Sequence, residues 1–319
     1  MLVAGSLGAL TMLIGLSLTG MVGSSATDTA TRSTLRAAEI ASTPSDQSAY
    51  TVQISNAGTT RTFPAILADR SGHLVLCATI DSHATVTVTH AAEAWSNPAV
   101  VGFDTETAAT VLEVKGLIGA KPTATASANL GDQVWATRSW PSASAATPAT
   151  VVALNTTSRT RTGAHHGLLT ALTTTSTSAD AYLRDKEGRV LGLVSAADQQ
   201  PEDSLALVLP ARAALRVAKQ MEQRGDAAPP RLPAEIAEVP TAPGVQRVEI
   251  ASIPGPQEQS PLRVNDRVLS IRGVPTHTLD DVEGALLVEE PGTQVPVAIE
   301  RDGTRTVISV TLASMAPFP

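Results

Sequence analysis

The chain has 319 residues, 43% hydrophobic and 17% charged, which is enough apolar material for two modest globular domains beside a membrane segment. This composition excludes a collagen-like or wholly disordered chain, and a formal net charge of -7 without any clustered Lys/Arg run argues against a nucleic-acid partner. Cys77 is the only cysteine, so no intramolecular disulfide can form. No Cys/His cluster has zinc-ligand spacing, and neither metal nor cofactor is predicted.

Residues 2–23 are uncharged and predominantly apolar. At about 1.5 Å per helical residue they can cross a hydrocarbon core of about 30 Å. A cleaved signal peptide ending near Ser25-Ala26 is the competing reading, since small residues suit a peptidase. The length of the run, with no Lys or Arg before it, favours a retained anchor. The anchor predicts a single-pass cell-membrane protein with its folded part outside the cytoplasm, and cleavage predicts secretion. Residues 24–48, rich in Ser, Thr and Ala without a sustained apolar period, read as a flexible linker.

Order is predicted to begin near Tyr50. Residues 50–54 and 84–89 alternate polar and apolar, the period-2 signature of half-buried strands, and Thr150-Val151-Val152-Ala153-Leu154 reads as a more buried one. Cys77, beside Leu74, Val75 and Leu76, reads as a buried strand position. The Ser/Thr-rich stretch 155–178, which holds His165-His166, reads as loop with exposed histidines. Residues 211–224 carry Ala214, Leu215, Val217, Ala218 and Met221 at helical spacing, ending at Gly225. Prolines 229, 230, 233, 240 and 243 cannot sustain a helix or a central strand, so 226–243 reads as a connector running into the first loop of a second domain. Thr278 can cap a helix with Leu279, Val282, Leu286 and Leu287 on one face, and Asp302-Gly303 joins two alternating runs as a hairpin.

Three segments resemble the trypsin-like serine proteases of the HtrA type. Ser71-Gly72-His73-Leu74-Val75-Leu76-Cys77-Ala78-Thr79-Ile80 is similar to D-G-x-I-L-T-N-x-H-V, with Thr79 at the family's catalytic histidine. Residues 101–114 are similar to G-x-D-x-x-T-D-L-A-V-L-K-V, with Ala108 at the aspartate. Residues 177–183 stand in the place of G-N-S-G-G-P-L, with Ala179 at the nucleophile. The resemblance implies a mainly β, double-barrel domain over residues 49–222, followed by a linker at 223–231.

The same resemblance implies that the chemistry is lost. A serine nucleophile needs a base, a carboxylate that orients the base, and donors aimed at the oxyanion. Thr79 cannot serve as a base at neutral pH, Ala108 orients nothing, and Thr177, Asp180 and Ala181 carry side chains where glycines would permit the oxyanion turn. The alternative is a serine endopeptidase with a rearranged triad: Ser178 or Ser176, His83 or His90, and Asp104. That alternative places His83 one helical turn after Thr79; otherwise these side chains are solvated surface groups.

Residues 244–253 and Ser260-Pro261-Leu262-Arg263-Val264-Asn265-Asp266-Arg267-Val268-Leu269-Ser270-Ile271-Arg272-Gly273-Val274-Pro275 resemble a bacterial PDZ domain, assigned to residues 232–316. Such domains bind peptides as an added strand, with a Gly-containing loop holding a terminal carboxylate. Here the loop glycine's place is taken by Glu235, which disfavours an anionic terminus, while Ile236, Val282 and Leu286 are candidate walls for an internal apolar segment or plain core residues. The expectation is a membrane-anchored, extracytoplasmic pseudoprotease that acts through a protein or peptide ligand. A possible partner is an active HtrA-type protease.

Overall fold

The alternation that starts at Tyr50 folds as β1 (Ala49–Asn56), which turns through Ala57 and Gly58, both at positive φ, into β2 (Thr59–Leu67). The structure is a computed structural model and describes residues 49–138, 146–160, 163–173, 181–195, 204–242, 245–254 and 260–314. After β2 come β3 (His73–Leu76), β4 (Thr85–His90), β5 (Glu93–Ser96), β6 (Ala99–Asp104) and β7 (Ala109–Glu113). They form a seven-stranded antiparallel sheet in the order β5-β4-β1-β2-β3-β7-β6. One face closes over Val52, Phe63, Leu74, Val88 and Leu112; Ile66, Val75 and Val111 on the other face enter a second core. Burial on both faces explains the apolar run Leu74-Val75-Leu76 in β3. Before it, Gly72 sits at φ +92, and a Cβ there would lie 2.5 Å from the Val114 carbonyl oxygen.

The second lobe contains β8 (Gln133–Arg138), β9 (Thr147–Thr160), β10 (Gly163–Thr173), β11 (Ala181–Arg184), β12 (Val190–Val194) and β13 (Leu205–Pro210). These close into a barrel around Val134, Val151, Ala171, Leu183 and Val208. The double-barrel expectation thus holds as a mainly β, trypsin-like arrangement, in which the first sheet stays open along its described path. The stretch expected as loop is instead largely the β9–β10 hairpin, and His165 is buried with 3% exposure. Threonine suits a pleated surface, and the ladder bonds of a hairpin need no apolar side chain.

α1 (Ala211–Arg224) follows β13 and ends at Gly225, φ 79, whose N–H bonds to the Met221 carbonyl. Its buried stripe of Ala214, Val217, Ala218 and Met221 joins Ile66, Val75 and Val111 from the first sheet to Leu193 and Leu209 from the barrel. One helix therefore seals the seam between the two lobes. The connector then supplies β14 (Pro230–Arg231), and the last domain has β15 (Glu235–Ala242), β16 (Val245–Ser252), β17 (Arg267–Ile271), β18 (Val274–Pro275), α2 (Leu279–Leu286), β19 (Gln294–Arg301), β20 (Thr304–Thr311) and β21 (Ala313–Ser314). β14 pairs with β21, and the main sheet runs β15-β16-β17-β19-β20.

The proline-dense stretch is thus more than a connector, because Pro240 lies inside β15. β15 is an edge strand, where a missing N–H on the open side is tolerated. Among the described residues no helix is long and apolar enough to cross a membrane; the expected anchor at 2–23 and linker at 24–48 lie outside them.

Candidate functional site

Antiparallel pairing of β3 with β7 sets Leu76 opposite Thr110, so the segment that leaves β3 runs beside the one that enters β7. Thr110 Oγ1 donates to the Ala78 carbonyl, and Cys77 Sγ approaches the Thr107 carbonyl at 3.8 Å. Thr79 and Ala108, one residue beyond Ala78 and Thr107, are therefore carried by neighbouring segments. Thr79 is exposed; Ala108 is buried at φ 54. Tyr182 of β11, near the end of the third segment, belongs to the same core cluster as Cys77 and Ala108. Ala179, Ser176 and Ser178 lie outside the described residues.

Among the described residues, the histidines and the aspartate of the alternative triad make no hydrogen bond or ion pair with one another. His83 is exposed in a turn before β4, with no helix between it and Thr79. His90, on β4, stacks on Tyr50 with ring centroids 4.5 Å apart. Asp104 is buried and its carboxylate is occupied locally: Oδ2 accepts from Thr107 Oγ1 at 2.6 Å and Oδ1 from the Glu106 N–H at 3.4 Å. A hydroxyl and a methyl at the two described positions can neither take a proton at neutral pH nor orient a base.

The seam between α1 and the C-terminal domain holds a network of charges. Arg231 Nη2 and Nη1 each lie 3.0 Å from a carboxylate, that of Glu106 in the β6–β7 turn and that of Glu283 on α2. Burial raises the Glu106 pKa above 4.5; Arg231 opposes this, and Asp104 and Glu283 add to it. The backbone carbonyl of Glu106 accepts from Nδ1 of His165 at 3.0 Å. Arg216 of α1 is 3% exposed and donates to the carbonyls of Leu287 and Ala228. Lys219 pairs with Glu290, and Arg212 and Arg272 with Glu289. A cleft of about 530 Å³ lies along this seam, lined in part by Asp69, Arg212, Lys219, Glu222 and Glu290. At its mouth Asp69, His73 and Glu222 bring ligand-type atoms within 4.8 Å of one another. The Asp69 carboxylate there already accepts from the Ser71 and His73 N–H groups and meets His73 Nδ1 at 2.7 Å, so turn geometry accounts for the cluster without a metal.

In the last domain α2 starts in a capping box: Thr278 Oγ1 accepts from the Asp281 N–H, and Asp281 Oδ2 from the Thr278 N–H. A third group joins from the edge strand, where Glu238 Oε1 accepts the Leu279 N–H at 2.7 Å. Ile236, Val282 and Leu286 come together in one cluster. Val282 and Leu286 are 1% exposed and form its floor, whereas Ile236 is half-buried. Glu235, at the bulge that opens β15, is exposed, and its Oε2 accepts from Ser252 Oγ at 2.6 Å. Sequence reasoning passed over Glu238; its even spacing from Ile236 along β15 was the available signal.

A PDZ-domain family profile matches residues 236–312. Comparison with curated proteins finds no match. Among solved structures the chain is similar to the HtrA-type protease AlgW with tripeptide at 15% identity and a TM-score of 0.52, over 85% of this chain and 95% of that one. It is similar to AlgW with decapeptide at 14% identity and a TM-score of 0.50, over the same shares. Residues 236–312 are a PDZ domain, and over 85% of its length the chain shares the fold of HtrA-type proteases.

Proposed function

We propose that this protein is an HtrA-like pseudoprotease that binds proteins or peptides through its PDZ groove and does not hydrolyse them. The observation that supports this reading is that Thr79 and Ala108, which motif spacing assigns to the base and its orienting carboxylate, lie on neighbouring segments. Asp104, the acid offered by a rearranged triad, spends its carboxylate on Thr107 and Glu106. Peptide binding draws support from the PDZ domain and from the peptides named in the AlgW structures. Residues 2–23 anchor the protein in the cell membrane with its folded domains outside the cytoplasm, where it serves protein quality control, alone or as regulator of an active HtrA-type protease.

The test pairs turnover with binding. The full chain is incubated with an unfolded protein, and the same chain is immobilised to capture peptides. The proposal expects the protein substrate to stay intact by mass spectrometry and peptides to be retained by the wild type, with retention lost in Ile236→Arg at an unchanged melting temperature. Cleavage fragments, or retention indifferent to Ile236→Arg, would refute it.

A further inference from the structure

We infer that the PDZ groove selects an extended internal segment carrying a lysine or arginine side chain, and disfavours a free C-terminal carboxylate. This rests on the peptide-binding reading above and names the ligand class. β15 pairs with β16 on one side only, and among the described residues no strand occupies its other edge. α2 lies alongside, joined to β15 through Glu238 and Leu279. An added strand there finds unpaired backbone groups on β15 and an apolar contact at Ile236.

Charge at this edge differs from that of six other acidic groups in and beside the domain. Glu249, Glu283, Glu289, Glu290, Glu300 and Asp266 each pair with an arginine or lysine. Glu235 and Glu238, three residues apart on β15, form no ion pair among the described residues. Each is held by a single hydrogen bond, Glu235 through Oε2 to Ser252 and Glu238 through Oε1 to Leu279, which leaves the second oxygen of each without a partner there. Arg247, cross-strand from Val239, does not neutralise them, because its Nε lies 2.6 Å from Glu249. Glu238 reaches toward α2 from the face that carries Ile236, whereas the Glu235 carboxylate is held toward β16 by Ser252 at the start of the same strand; negative charge placed this way repels a carboxylate terminus and attracts a cationic side chain. Glu235 stands where a loop N–H-rich glycine would receive the terminus, so the preferred ligand continues past that point.

The probe is an amidated nonapeptide library, randomised at its central positions and passed over the immobilised full chain. The double variant Glu235→Gln/Glu238→Gln keeps the acceptor oxygens for Ser252 and Leu279 while removing both charges. Retained peptides are expected to be enriched about tenfold in Lys or Arg at one position, the equivalent of about 1.4 kcal/mol. Enrichment should collapse in the double variant and weaken at high salt, and the same library with free C-terminal carboxylates should be retained less. Peptides retained by the wild type without Lys or Arg enrichment, or better as free acids, would overturn this inference and leave the groove reading standing. If neither library is retained, both fall.

Discussion

Arg216 Nε donates to the carbonyl oxygen of Leu287 at 3.0 Å, tying the helix that seals the protease-like lobes to the last turn of the PDZ helix. The guanidinium is 3% exposed, and burial lowers its pKa against the opposing pull of Asp104 and Glu106. Removing it strands the carbonyls of Leu287 and Ala228 and takes a partner from Gln220. Arg216→Ala is expected to lose about 3 kcal/mol in urea unfolding. Limited proteolysis should then cut the 225–234 connector well before either lobe. A loss under about 0.5 kcal/mol, the size of an ordinary surface change, would show that the contact does not hold the domains together.

Glu106 gives this seam a pH signature. Its folded-state pKa lies above 4.5, chiefly through burial, so the folded protein favours the neutral acid. Its contribution to stability is fully present below about pH 4.5 and is lost as pH rises through the folded value. Glu106→Gln keeps an oxygen for Arg231 and removes the titration. The melting temperature of the variant minus that of the wild type should therefore rise between pH 4 and pH 7; a flat or falling difference contradicts the assignment.

Within the PDZ domain, Asp266 is 1% exposed and accepts from Arg301 Nε and Nη2, both at 2.7 Å, as well as from the Arg263 N–H. Taking away Asp266 removes both charge-assisted bonds to Arg301 and strands the Arg263 N–H. Asp266→Ala is expected to cost about 3 kcal/mol, measured by chemical unfolding of the full chain. The double variant Asp266→Ala/Arg301→Met should recover part of that loss, and no recovery would argue that Asp266 acts through the Arg263 turn alone.

Much of this architecture was legible where local chemistry decides it. Gly225 marked the end of α1, Thr278 the start of α2, and Asp302-Gly303 the turn between β19 and β20. Composition misled where tertiary pairing wins: Ser and Thr made β9 and β10 read as loop, and prolines hid β15, although an edge strand can accommodate Pro240. The proposed vacated positions, Thr79 and Ala108, come from spacing against a known motif, just beyond β3 and just before β7. Spacing along β15 could put Glu238 on the face of Ile236 but not beside the Leu279 N–H, which arrives from 41 positions away. The Glu106–Arg231–Glu283 bridge was hidden for the same reason, with its members on three separate elements.

The central claim, that the protease framework has no nucleophile to activate, is tested most directly by a fluorophosphonate probe on the full chain, read by intact mass and peptide mapping. The expected result is no adduct on Ser176, Ser178 or any other serine, under conditions that fully label an active serine protease run alongside. A stoichiometric adduct on Ser176 or Ser178 would contradict the account and establish a rearranged catalytic site.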